Sequence, residues 1–143
     1  MRLWHIDLIP YLPKSQLIAQ WRELNSIFKK QDNHILINYI YNYPKSTLKT
    51  YADKVVKEMQ NRGYEIKKWD NYNEYFEGVV ADGMNFKEHN DTYFEICYWN
   101  LYEKYIRGQK DFDVNVFYKL DDFYNSTFYY ELNNTWQISP FMV

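Results

Sequence analysis

Met1-Arg-Leu-Trp-His-Ile-Asp-Leu-Ile-Pro-Tyr-Leu-Pro-Lys-Ser-Gln-Leu-Ile-Ala-Gln-Trp-Arg-Glu-Leu24 opens the chain. The second half of this stretch decides the fold class. After Pro10 and Pro13, a helix is predicted from Lys14 or Ser15 to about Lys30, because Leu17, Trp21, Leu24 and Phe28 recur at helical spacing and form one apolar stripe. Gln16, Gln20 and Glu23 share a different face, and Arg22 lies on the flank beside Ile18. Lys29 and Lys30 at the C-terminal end complement the helix dipole. One short segment therefore encodes a chain terminus, a carboxylate and a guanidinium. A fold that returns the terminus to the helix would bring the three together.

Two further helices follow the same logic. Pro44-Lys45-Ser46 starts one that runs over about 46–62, with Leu48, Tyr51, Ala52, Val55 and Met59 as its buried face. Gly63 follows Arg62 as a left-handed cap, and Tyr64 packs back. The other begins at Asn90 or Asp91, with one of these as its N-cap, and stops before Gly108. Phe94, Cys97, Leu101 and Tyr105 form its stripe. Between the helices, residues 31–34 read as a loop, 35–43 as either a strand or a short helix, and 65–88 as an irregular aromatic connection. From 109 the character changes. Val114, Val116 and Tyr118 alternate with Asn115 and Phe117, and Phe128–Leu132 with Thr135–Ile138 read as a small hairpin around Asn133-Asn134. The expectation is a mainly α fold: a compact bundle of about three main helices, with the N-terminal segment packed against them and an aromatic C-terminal extension. It is one domain over 1–143, with a helical core at 1–108 and an extension at 109–143.

Composition bounds the function. The 143 residues suffice for a real core. Sixteen Tyr, nine Phe and five Trp make an unusually aromatic chain, and Tyr and Trp serve half-wet surfaces as well as cores. Net charge is −2, which argues against a uniformly basic nucleic-acid footprint but permits a local basic face. Cys97 is the sole cysteine, so no disulfide forms within the chain and a reducing, cytoplasmic setting is expected. No apolar run reaches the roughly 18 residues of a membrane span, and no targeting segment is expected at the start. His5, His34 and His89 lie far apart and lack the i, i+4 spacing of helical metal ligands, so they read as capping or surface histidines and no metal is expected. No nucleophile elbow or phosphate-binding glycine loop occurs. The Arg22-Glu23 pair, taken alone, is most often a solvated helix face. The tyrosines of the last helix and the tail are read as core, or as a platform that stacks bases.

The opening block resembles the pyrimidine-dimer DNA glycosylase family, the phage-type endonuclease V, and in particular its bacterial branch. The residues that carry the resemblance are Met1-Arg2-Leu3-Trp4-His5, Asp7-Leu8-Ile9 and Trp21-Arg22-Glu23. His34 with Asn38-Tyr39, Arg62-Gly63-Tyr64 and Glu88-His89-Asn90-Asp91 continue it, so it covers about residues 1–108. The resemblance implies a repair glycosylase with abasic-site lyase activity on damaged double-stranded DNA, using no metal or organic cofactor. Its nucleophile is the N-terminal amine, which forms a Schiff base with the sugar. By position it assigns Met1, Arg2 and Glu23 to catalysis and Arg22, Lys104 and His34 to DNA. Arg2 is too large a second residue for removal of the initiator methionine, so the amine is that of Met1. Leu3, Gln16, Ser26 and Asn100 stand where the phage enzyme has basic side chains on its DNA face. Two other functions stay open: a non-catalytic nucleic-acid- or protein-binding member of the same fold, and a small interaction protein using the tyrosine-rich tail.

Overall fold

The computed structural model describes residues 2–31 and 33–129. Arg2–His5 has no regular secondary structure and leads into a 3-10 helix over Ile6–Tyr11, whose first turn is capped by His5 Nδ1 accepting from the Asp7 N–H at 3.1 Å. Helix α1 spans Lys14–Lys29 and α2 spans Lys45–Asn61, with a 3-10 helix at Asn38–Asn42 between them. Helices α3 (Trp69–Tyr75), α4 (Asp91–Ile106) and α5 (Val114–Tyr124) follow, and α5 runs into a π-helical turn at Asn125–Tyr129. No strand occurs among the described residues. Among them, no helix is long and apolar enough to cross a membrane.

The expected stripes are the core. Leu17, Trp21, Leu24 and Phe28 of α1 are buried, as are Leu48, Tyr51, Ala52, Val55 and Met59 of α2 and Phe94, Cys97 and Leu101 of α4. The N-terminal segment belongs to the same core through Leu3, Trp4, Ile6, Leu8 and Ile9. Its 3-10 helix meets α2, α4 and α5, while α1 packs on α2 and α3. A segment this deeply inserted is fixed by burial, and truncating a fully buried leucine such as Leu24 to alanine costs about 2–5 kcal/mol.

Helix ends follow local chemistry. Gly63 at φ +74° closes α2 with the Tyr64 N–H on the Met59 carbonyl and the Gly63 N–H on the Gln60 carbonyl, the paired bonds of a left-handed cap. Asn90 Oδ1 accepts from the Tyr93 N–H at the start of α4. The start of α2 has no such local cap. Asp82, far along the chain, instead accepts from the Ser46, Thr47 and Thr50 hydroxyls.

Two expectations change. The 65–88 connection contains α3, because Trp69, Tyr72 and Phe76 present one aromatic face to Trp21 and Phe28 of α1. Of the two readings of residues 35–43, the short helix holds, as a turn that leads into a 3-10 helix. The alternating 114–118 stretch is the first half of α5, capped by Asp113 Oδ1 accepting from the Val116 N–H. Helix α5 uses the tyrosines of α4. Tyr124 stacks on Tyr98 with centroids 3.8 Å apart, and Phe117 stacks on Tyr105 at 4.2 Å. Those rings therefore serve helix packing rather than an open stacking platform. The expected hairpin begins at 128 and 129, which the structure places in the π-helical turn; the rest of it lies outside the described residues.

Candidate active site

Gln20 organises the site. Its side chain is 1 % exposed and sits on α1 one turn before Glu23. Gln20 Oε1 accepts from the Trp4 N–H at 2.8 Å and from the Tyr51 hydroxyl at 3.0 Å. Gln20 Nε2 donates to the Arg2 carbonyl at 3.1 Å and to Glu23 Oε2 at 3.1 Å. Tyr51, fully buried on α2, shares its single hydroxyl proton between Gln20 Oε1 and the Trp4 carbonyl, the latter at 2.6 Å. Tyr93 of α4 donates to the Leu3 carbonyl. Residues 2–4 are thus held by hydrogen bonds from α1, α2 and α4, and one amide links the Arg2 backbone to the Glu23 carboxylate. Buried polar groups that are fully paired in this way rigidify the segment they join.

Arg2, Glu23 and Lys104 line one cleft of about 340 Å³, together with Gln20, Leu36 and Asn100. Glu23 is half-buried, and burial pushes its carboxyl above the usual range. That effect outweighs the lowering by the Arg2 backbone, the Arg22 charge and the Gln20 amide. The Arg2 guanidinium lies 5.5 Å from the centre of the Trp4 ring, and its charge also reaches Tyr93 and Cys97 on α4. Cys97 itself is buried, and burial raises its thiol pKa, so it stays a protonated core side chain.

Arg22 does not join them. It is exposed and lines a neighbouring groove of about 330 Å³ with Ser26, Lys29, Lys67 and Lys68. His34 sits on an exposed turn, with its Nδ1 accepting from the Leu36 N–H at 3.2 Å, and that same Leu36 lines the cleft. Met1 lies outside the described residues. Of the four uncharged positions where the phage enzyme carries basic side chains, Gln16 and Asn100 line the cleft, Ser26 lines the groove, and Leu3 is core.

The histidines give a result that their sequence separation hides. His5 and His89 meet with ring centroids 5.5 Å apart, both buried. His89 Nδ1 accepts from the Ile6 N–H at 3.1 Å, and its Nε2 faces the Tyr39 hydroxyl at 2.7 Å. Burial lowers both pKa values, that of His89 to about 3. Neutral rings whose Nδ1 atoms accept backbone N–H groups are fold anchors, consistent with capping. Among the described residues no cluster of three or more His, Cys, Asp or Glu could hold a metal ion.

Two parts of the site are not evident from sequence reasoning. Gln20 shares the Glu23 face, but the helical pattern gives it no role. The available signal is its i, i+3 spacing to Glu23, which allows a side-chain bond on a helix. Lys67 and Lys68 fall in what reads as an irregular connection, yet the Trp21 indole donates to the Lys67 carbonyl at 2.8 Å and brings both lysines beside Arg22.

Comparison with known proteins gives one match. Residues 1–71 match the sequence model of the family described as pyrimidine dimer DNA glycosylase, whereas no curated protein and no solved structure matches the chain. The matched residues include the N-terminal segment, Gln20, Arg22, Glu23 and the Lys67-Lys68 turn, which is most of what builds the cleft and the groove. Residues 1–71, just under half of the chain, are thus similar to the pyrimidine dimer DNA glycosylase family.

Proposed function

We propose that the chain cleaves a glycosidic bond of pyrimidine dimers in double-stranded DNA and then cuts the strand at the abasic site, with the Met1 amine as nucleophile. The amine attacks the anomeric carbon of the damaged nucleotide. The glycosidic bond breaks and the base leaves with the electron pair. Loss of a proton and opening of the sugar ring give a Schiff base between Met1 and the former anomeric carbon. The iminium acidifies the adjacent carbon, and loss of a proton there drives elimination of the 3′ phosphate. An α-amine has a pKa of roughly 7.7–8.0, so a useful fraction is neutral at physiological pH.

The observation that carries this reading is the Gln20 amide, bonded to both the Arg2 carbonyl and the Glu23 carboxylate. In this reading the amine works one residue, about 3.8 Å along the chain, from a backbone already held beside Glu23. Glu23 stabilises the cationic intermediates and moves protons, a task helped by a carboxyl whose pKa burial has raised. Arg2 packs over Trp4 and positions the terminus. Lys104, in the same cleft, and Arg22, in the groove, bind phosphates. His34 contributes from its turn at the rim. Flipping a nucleotide into the cleft favours already distorted DNA.

Borohydride trapping on a duplex containing a dimer or an abasic site tests the proposal. The expected result is a covalent adduct that survives denaturation and maps to residue 1. Absence of an adduct from protein with a native, untagged terminus overturns it.

A further inference from the structure

The chain has a net charge of −2, yet two adjoining grooves carry only positive charge. Arg22, Lys29, Lys67 and Lys68 line the first, and Lys29, Lys30 and Lys45 line the second. No Asp or Glu lines either groove, and Lys29 belongs to both. Their linings fall outside the cleft of Arg2 and Glu23, which shares no residue with them. Two lysines elsewhere differ: Lys54 and Lys57 share their groove with Asp7 and Glu58.

The first groove is built rather than incidental. The Trp21 indole holds the Lys67 carbonyl at 2.8 Å, and Asn71 Nδ2 donates to Asn25 Oδ1 at 3.0 Å, so the 67–71 turn is fastened to α1 at two points. Lys68 adopts φ +62°, the only positive φ at a non-glycine among the described residues. A left-handed lysine is costly, and such strain persists only where its surroundings impose it. Here the imposed turn sets two consecutive lysines against the exposed guanidinium of Arg22.

We propose that these grooves form one track for the phosphodiester backbone of duplex DNA beside the lesion, with Lys67, Lys68 and Lys29 as its principal contacts. The track supplies positive charge in a chain where Leu3, Gln16, Ser26 and Asn100 are uncharged. It binds damaged and undamaged duplex alike, because phosphate contacts fix register and carry no sequence information. The inference deepens the proposed function, since it names how the same enzyme holds the flanks of its substrate.

Salt titration of binding to an undamaged duplex tests it. Removing one lysine that neutralises a phosphate flattens the slope of log Kobs against log salt by about 0.9. The pair Lys67→Gln with Lys68→Gln is therefore expected to flatten the slope by about 1.8. The charge-matched pair Lys54→Gln with Lys57→Gln leaves the slope near wild type. All four lysines are exposed, and a thermal melt confirms that both variants fold. An unchanged slope in the first pair, or equal changes in both pairs, overturns the inference. The borohydride assay is read separately. A trapped adduct with no lysine dependence of the slope refutes the track alone, and lysine-dependent binding without an adduct refutes the catalytic reading alone.

Discussion

Gln20→Leu is the sharpest test of how this fold makes a site, because it removes four hydrogen bonds and no charge. The Trp4 N–H loses its acceptor within the core, and a buried polar group left unpaired costs about 1–3 kcal/mol. The Tyr51 hydroxyl keeps the Trp4 carbonyl as its acceptor, and Arg2, half-buried, can return its carbonyl to water. Leucine is apolar and of similar length, which offsets part of the loss. The expected net cost is about 2 kcal/mol. For 143 residues, with an unfolding entropy of about 2.1 cal/mol/K per residue, the melting temperature falls by about 7 °C. The variant therefore remains folded at 25 °C. Its effect on chemistry is larger, because the backbone of residue 2 is no longer referenced to Glu23, and a misplacement of about 1 Å at a reacting group costs about a hundredfold. Single-turnover borohydride trapping on an abasic duplex, with a melt of the same sample, measures both. Trapping at the wild-type rate by folded Gln20→Leu protein would refute the claim that Gln20 sets the geometry.

The remaining predictions separate stability from chemistry. Glu23→Gln should lower strand cleavage by at least about a hundredfold, the scale of a lost proton carrier. The same variant should melt no lower than wild type at pH 7. Burial raises the Glu23 pKa in the fold, so the native state binds the proton more tightly, and stability falls as pH rises from the unfolded value through the folded one. A lower melt at pH 7 contradicts this sign. His89 works in the opposite sense. Its pKa falls from 6.5 to about 3 on folding, so its stability is complete above pH 6.5 and is lost as pH drops toward 3. The loss is about 2 kcal/mol at pH 5, and His89→Gln should flatten the melting profile between pH 7 and 5. Gly63→Ala forces a left-handed alanine at φ +74° with open space around its Cβ, so it should cost about 1 kcal/mol in a urea melt without affecting trapping.

The parts of the fold legible from the sequence are those whose signals are local. The apolar stripe of α1, the Gly63 cap of α2 and the Asn90 cap of α4 each lie within a few residues of the element they define, and all three stand in the structure. Helix α3 is not legible because its reason for existing is on another element: Trp69, Tyr72 and Phe76 form a face only against Trp21 and Phe28. Helix α5 does carry a local signal, Asp113 ahead of Val116, Phe117 and Leu120, but its alternating start resembles a strand. The site divides the same way. Glu23 and Arg22 are visible as neighbours in sequence, yet adjacent positions on a helix point about 100° apart, so one enters the cleft and the other the groove. Packing of the N-terminal segment on the helices is expected from the sequence, whereas the bonds from Gln20, Tyr51 and Tyr93 that fix it are tertiary and no spacing encodes them.

The residue type at position 20 explains why the bridge suits a carboxylate with a proton to move. A lysine or arginine there could also donate to the Arg2 carbonyl and to Glu23, but its charge would hold the carboxyl low and ionised. A neutral amide positions Glu23 at 3.1 Å and lowers its pKa less than burial raises it. The second amide atom requires an acceptor on the same side chain, because the Trp4 N–H and the Tyr51 hydroxyl both donate into the space beside it. The glutamine amide carries a donor and an acceptor on one planar group and meets both demands, and its side chain is one methylene longer than that of asparagine. Gln20 thus joins the backbone of residues 2 and 4 to the Glu23 carboxylate through one neutral amide.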